Sequence, residues 1–282
     1  MNGDREKNIQ YLLDLMDDEN EQTASLAMAE LLRSGRPDLL NQRLCELQET
    51  ARPGLRRRVH QLESAIGART RRSFLAESLR SNSLYLLDGA IRLHLCWFDN
   101  DRYENVAAQW NDLKADLFDE QPSDLTAFGE FMLNRGLCTP GSRDDIDPEH
   151  YCIGAVIDDT PGSDLLLSLI SAQLATGSPL RLRVIRRGLD FGVADHKGNL
   201  LFPSENWRAV PARKGGSVQT VPDGDILRMI ASVLFFCAVS SHGFRYAYTI
   251  GSVLAAALGE DSLDFLPYPY GTARAPKPPE NR

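Results

Sequence analysis

From Ser163 to Thr176 the residues Leu165, Leu166, Leu167, Leu169, Ile170 and Leu174 cover nearly the whole circumference of a helix. A helix that is apolar all round has no face to give to water, so it must sit at the centre of a core with other elements on every side. After Gly177 and Pro179 the period changes. Leu180–Ile185, Leu189–Ala194 and Asn199–Phe202 read as strands, the last two joined through His196-Lys197-Gly198 as a hairpin. Helical periodicity returns over Asp225–Ser240 and again over Tyr246–Leu258, with Gly259 as the residue that closes the last turn. A buried helix against a small antiparallel sheet predicts an α+β core, in a chain that is predominantly helical elsewhere.

Four short apolar stripes precede that core. Ile9, Leu12, Leu13 and Met16 form the first, Ala24, Ala27, Met28 and Leu31 the second, Leu40, Leu44 and Leu47 the third, and Leu55, Val59, Leu62 and Ile66 the fourth. Breaks at Asp18–Glu21, Gly35–Pro37 and Arg52–Gly54 divide them into two helical hairpins. The hairpins resemble a pair of HEAT-type units, which bury their apolar faces only against neighbours. A second helical block runs from Arg72 to Asp119, interrupted by the polar link Asp99–Arg102, and Phe128, Phe131 and Met132 mark one more short helix. The domain reading is helical hairpins over residues 1–70, an α+β core with leading helices over 71–221, a helical pair over 222–265 and a Pro/Tyr-rich tail over 266–282.

Charge and cysteine usage narrow the function. A net charge of -8 opposes nucleic-acid binding by the whole surface, which needs a basic face for phosphate contacts. Ile226–Val239 is the longest apolar run, and at 14 residues with Arg228 inside it, it is too short and too polar to span a bilayer. Met1–Gln10 has no apolar core of a secretory signal. Five scattered cysteines without a CxxC pair signal neither a disulfide framework nor a zinc site, so the expected compartment is the reducing cytoplasm. Glycine-rich phosphate loops, HExxH and GxSxG are absent, and no cofactor is expected. The acids Asp144, Asp145, Asp147 and Glu149 lack the Gly and Glu spacing of a calcium loop, and no metal is expected. Seven arginines fall between Arg52 and Arg72, and seven acids between Asp99 and Glu120; the two runs are expected to offset one another.

Several pieces in order carry a family resemblance across residues 84–207. They are Leu87-Asp88-Gly89-Ala90-Ile91 before an acidic loop, Tyr103 with Val106 after it, the Phe131-Met132 helix and Asp147-Pro148-Glu149-His150. Val156-Ile157, Gly162 opening the Leu-rich helix with Leu167-Ser168, and the hairpin ending at Pro203 complete the series. This order resembles the SirB-type transglutaminase-like family of bacterial proteins. The resemblance implies a cysteine-protease-like core. In its active members a Cys opens the buried helix, where the helix dipole lowers the thiol pKa, and a His and an Asp come from the sheet.

The three chemical positions read as lost in this chain. Ser163 and Asp164 open the buried helix, and Asp164 suits a helix N-terminus but would repel a thiolate. Arg187-Gly188-Leu189-Asp190-Phe191 stands where the family has Pro-Gly-His-Phe, putting Leu189 or Asp190 in the base position, and Phe202 falls where the orienting Asp belongs. The expected degenerate pocket is therefore Asp164, Asp190 and Phe202. The resemblance with these losses implies a non-catalytic protein-interaction or regulatory protein whose partner is another protein. The alternative is a cysteine-dependent hydrolase or acyl transferase with a relocated Cys152–His150 pair, although residues two apart on a helix do not face each other.

Overall fold

The computed structural model describes residues 2–34, 40, 43–44, 46–47, 52–81, 85–141, 146–158, 161–211 and 217–258. Two compact units divide them, one up to Phe74 and one from Leu75 onward. The Pro/Tyr-rich tail, Gly259, Cys45, Asp144 and Asp145 lie outside the described residues. Among the described residues no helix is long and apolar enough to cross a membrane.

In the first unit, helices α1 (Asn2–Leu15) and α2 (Glu21–Ser34) are followed by helical residues at 40, 43–44 and 46–47 and by α3 (Pro53–Ser81). The four stripes meet in one apolar cluster built on Leu12, Leu13, Met16, Leu31, Leu40, Leu44, Val59 and Leu62. Helix α3 is longer than the fourth stripe suggests and runs without interruption through Gly67 and the expected boundary at residue 70. One glycine costs a helix about 1 kcal/mol relative to alanine, too little to stop it where no proline or turn pair follows. Four arginines of this segment make contacts within the unit. Arg58 donates to the carbonyls of Met16 and Asp18 at 2.8 and 2.7 Å, satisfying acceptors that the end of α1 leaves open. Arg52 pairs with Asp17, Arg57 with Glu21, and Arg69 donates to the Leu32 carbonyl.

The second unit contains α4 (Leu86–Trp97), α5 (Tyr103–Glu120), α6 (Leu125–Asn134), a 3-10 turn at Pro148–Tyr151, α7 (Ile153–Asp158) and the buried helix α8 (Asp164–Leu174). A five-stranded sheet follows: β1 (Arg183–Arg187), β2 (Asp190–Ala194), β3 (Asn199–Phe202), β4 (Arg208–Pro211) and β5 (Gln219–Thr220). Helices α9 (Asp223–Ser240) and α10 (Phe244–Leu258) close the unit. The unit is thus a predominantly helical α+β structure with a small antiparallel sheet, in the order β4-β3-β2-β1-β5.

Alternation along the strands gives the sheet two apolar faces. Val184, Val193 and Leu201 point into the main core with α8, whose Leu166, Leu167, Leu169 and Ile170 are fully buried. Ile185, Ala194, Leu200 and Phe202 form a separate cluster on the opposite face. The β2–β3 hairpin forms in the expected place, pairing Val193 with Leu201 and Ala194 with Leu200. Asp195 shapes its turn: one carboxylate oxygen accepts the N–H groups of Lys197 and Asn199 at 2.9 and 2.8 Å. Strands β4 and β5 were not legible in the sequence. The chain enters β4 through Asn206 and Trp207, both at positive φ, and the buried Trp207 indole is anchored by donating to the Leu137 carbonyl at 2.6 Å.

Candidate functional site

The start of α8 is the first place to look for chemistry. Ser163 is the N-cap, its hydroxyl accepting the Leu166 N–H at 3.2 Å. Asp164 follows, one carboxylate oxygen accepting the Leu165 N–H at 2.8 Å and the other the Phe191 N–H of β2 at 3.0 Å. The carboxylate therefore works as a brace between helix and sheet. Tyr151 lies close by; its phenol pKa is raised by burial first and then by the charges of Asp164 and Cys237.

The other two members of the expected pocket are elsewhere. Asp190 and Phe202 do not join Asp164, because strand alternation sends them to the far face of the sheet from α8. Phe202 is packed with Ile185, Ala194 and Leu200. Arg187 gathers that face: its guanidinium lies 3.8 Å from the Phe202 ring centroid and pairs with Asp190 at 3.6 Å and with Glu205. Leu189 stands exposed at the tip of the β1–β2 turn, next to Gly188 at positive φ. The structure thus groups Asp190 and Phe202 about Arg187 and sets Asp164 against the Leu165 and Phe191 amides.

The candidate pair His150 and Cys152 fares differently at its two ends. His150 lies in the 3-10 turn and its carbonyl accepts the Ser163 N–H at 2.8 Å. Cys152, immediately after the turn, is completely buried, and its thiol pKa is pushed well above the ordinary range by burial, then by Glu149, Cys237, Cys96 and Asp147. Such a thiol is a small core hydrophobe rather than a nucleophile. No hydrogen bond joins it to an imidazole among the described residues. Cys138 is exposed.

A pairing that the sequence reading missed lies beside α7. His94 is on the buried face of α4 with Ala90, Ile91, Leu93 and Leu95, and is 1% exposed. Helix α4 ends at Trp97, the chain turns, and Asp101 comes back to place its carboxylate 2.8 Å from His94 Nε2. Gly154 of α7 lies flat against the ring: a Cβ there would sit 2.7 Å from both Cε1 and Nε2. Burial lowers the His94 pKa, opposed by the hydrogen bond and charge of Asp101. The ring is therefore neutral at neutral pH, with its proton on Nε2 facing the carboxylate and a lone pair on Nδ1. Nδ1 is buried and has no hydrogen-bond partner, alone in this among the side-chain atoms of the described residues. The apolar stripe through Ala90 and Ile91 had a histidine on it and an aspartate seven residues on; that was the available signal.

His94 and Asp101 line a cavity of about 470 Å³ with Phe98, Asn105, Gln109, Glu149, Gly154 and Asp158. Gln109 donates to Asp158 across it at 3.4 Å. The second nitrogen of His94 is sealed in the protein, so the pair cannot pass a proton from a substrate through the ring to the carboxylate. It works in the other sense: the imidazole N–H fixes Asp101, whose side chain is 50% exposed, as the group offered to the cavity. Among the described residues no three His, Cys, Asp or Glu side chains are grouped closely enough to hold a metal ion. The chain matches no family model, no curated protein and no solved structure.

Proposed function

We propose that this chain is a non-catalytic protein-interaction or regulatory protein built on a degenerate transglutaminase-like core, acting in the cytoplasm on a protein partner. The observation that carries the reading is the carboxylate at the opening of α8. Where an active core of that type needs a thiolate, Asp164 is bound to Leu165 and Phe191 N–H groups and holds the helix to the sheet. A negative charge in that position raises rather than lowers the pKa of any thiol brought near it. The relocated-cysteine alternative, a hydrolase or acyl transferase, meets a second obstacle, since Cys152 is buried and its thiol is held protonated.

The test is a paired measurement on the full chain. Hydrolysis and amine transfer are assayed on glutamine-containing peptides and on activated esters, alongside Cys152→Ser. In parallel, the chain carrying a photo-crosslinker is used to capture and identify proteins from its native cell. Turnover at the uncatalysed rate, with a single protein captured in stoichiometric amount, is the expected result. Turnover that Cys152→Ser removes would overturn the reading and establish the hydrolase.

A further inference from the structure

We infer that helix α7 is an acid-released element of the fold: a proton taken up by His94 detaches α7 from α4. The neutral ring has one N–H and one acceptor for it, the Asp101 carboxylate 2.8 Å from Nε2. A second proton makes both ring nitrogens donors. Nδ1 is buried without a partner, and turning the ring over only exchanges which nitrogen lacks one. His94 is 1% exposed, so water can accept the second N–H only after part of the ring's cover has moved. Until then a charged donor stands unpaired in the core, which costs more than a neutral one.

Of the elements round the ring, α7 is the one placed to lift. A Cβ on Gly154 would lie 2.7 Å from Nε2 and 3.3 Å from Nδ1, so the backbone of α7 covers the unpartnered nitrogen. The helix has six residues, too few to persist on its own hydrogen bonds, and is seated by Ile153 and Val156. Its side-chain tie to α5, the Gln109 amide on Asp158, is long at 3.4 Å. Helices α8 and α9, which also pack on α4, are longer and more deeply buried. The surrounding charges do not relieve the second N–H. Asp101 faces Nε2, and none of the others is a hydrogen-bond partner of Nδ1. Glu149 of the 3-10 turn and Asp158 of α7 line the neighbouring cavity, to which α5 brings the neutral Asn105 and Gln109. Asp164 of α8 accepts the Leu165 and Phe191 amides. Arg245 of α10 pairs with Asp99, Arg228 of α9 with Asp225 and Arg92 of α4 with Asp88. Cys96 and Cys152 are buried thiols. Burial thus weakens the closed ring's hold on a proton more than Asp101 strengthens it, whereas a hydrated ring titrates near the ordinary 6.5. Acid therefore favours the released form.

This inference does not rest on the protein-interaction reading. Hydrogen exchange of the full chain from about pH 7.5 to about pH 5, corrected for the intrinsic pH dependence of exchange, tests it through the protection of Ile153–Asp158, with Leu165–Leu174 as the internal reference. The His94 ring resonances are followed on the same samples. Below about pH 6.5 the protection of α7 should fall by up to about tenfold per pH unit, the slope that one proton gives, while α8 stays protected and His94 titrates over the same interval. His94→Gln should remove the slope. His150→Asn, which takes away the imidazole of the turn that precedes α7, should keep it. No fall in protection, a slope that survives in His94→Gln, or one that His150→Asn abolishes would overturn the inference. So would equal loss in α7 and α8, which marks global unfolding. Titration of His94 with α7 still protected would overturn it as well, because the ring would then have found an acceptor in place, and that outcome is read on the wild type even where His94→Gln does not fold.

Discussion

Asp164 accepts the backbone N–H of Phe191 at 3.0 Å, tying the start of the buried helix α8 to the second strand of the sheet. The same side chain covers the Leu165 N–H at the helix start, an amide that has no partner within the helix. Asp164→Ala leaves both donors without it. The variant should lose about 1–3 kcal/mol of stability, the usual cost of stranding buried hydrogen-bond partners. Urea denaturation measures this directly. A variant equal in stability to the wild type would mean that the brace contributes nothing.

The cysteines give a chemical prediction with a residue-level readout. Cys138 is exposed, whereas Cys96, Cys152 and Cys237 are buried. The thiol pKa of Cys152 is raised well up and that of Cys237 is raised, burial leading in both cases. Brief alkylation of the native protein near neutral pH, followed by peptide mapping, should label Cys138 and leave Cys152 unmodified until denaturant is added. Rapid native labelling of Cys152 would contradict its burial and reopen the nucleophile question.

What the sequence reveals of this fold follows from the range of the forces involved. The stripe from Ile9 to Met16 and its three successors were legible because periodic apolar residues decide which helix face is buried, and they do meet in one cluster. The helix at Leu165–Leu174 was legible because it has no polar face. Strand β4 was not, since Arg208–Pro211 lacks a strong alternating pattern and is placed by pairing with Asn199–Phe202. The sheet face of Phe202 also escaped, because a family-like position says which residue occurs where but strand parity decides the side. His94 and Asp101 were hidden for a further reason: each looked ordinary alone, one on an apolar stripe and one in a polar link. Only the turn at Phe98 brings them to 2.8 Å.

His94 should leave a mark on the pH dependence of stability. Its pKa in the folded protein is lowered from the ordinary 6.5, burial outweighing the pull of Asp101. The unfolded chain therefore takes up this proton at a higher pH than the folded one. The contribution to stability is complete above about pH 6.5 and is lost as the pH falls below it toward the folded pKa. Urea midpoints across this interval should fall more steeply in the wild type than in His94→Gln, which has nothing to protonate at that position. Parallel slopes would show that the ring is not held neutral by its surroundings.

The contact between Gly154 and the His94 ring supports the last prediction. A methyl group at 154 would approach Cε1 and Nε2 to 2.7 Å and Nδ1 to 3.3 Å, well inside contact distance for the first two. The ring has little freedom to retreat, because it is buried among the core residues of α4 and its Nε2 is held by Asp101. Either α7 shifts away from α4 or the ring turns and releases Asp101. Gly154→Ala should therefore lose about 1–3 kcal/mol, as overpacking of a closed core does. It should also shift the His94 ring resonances and shallow the pH slope of stability if the ring becomes hydrated. Gly154→Ala with unchanged stability and unchanged His94 resonances would show that α7 yields freely. The glycine would then be no part of what holds His94 and Asp101 together.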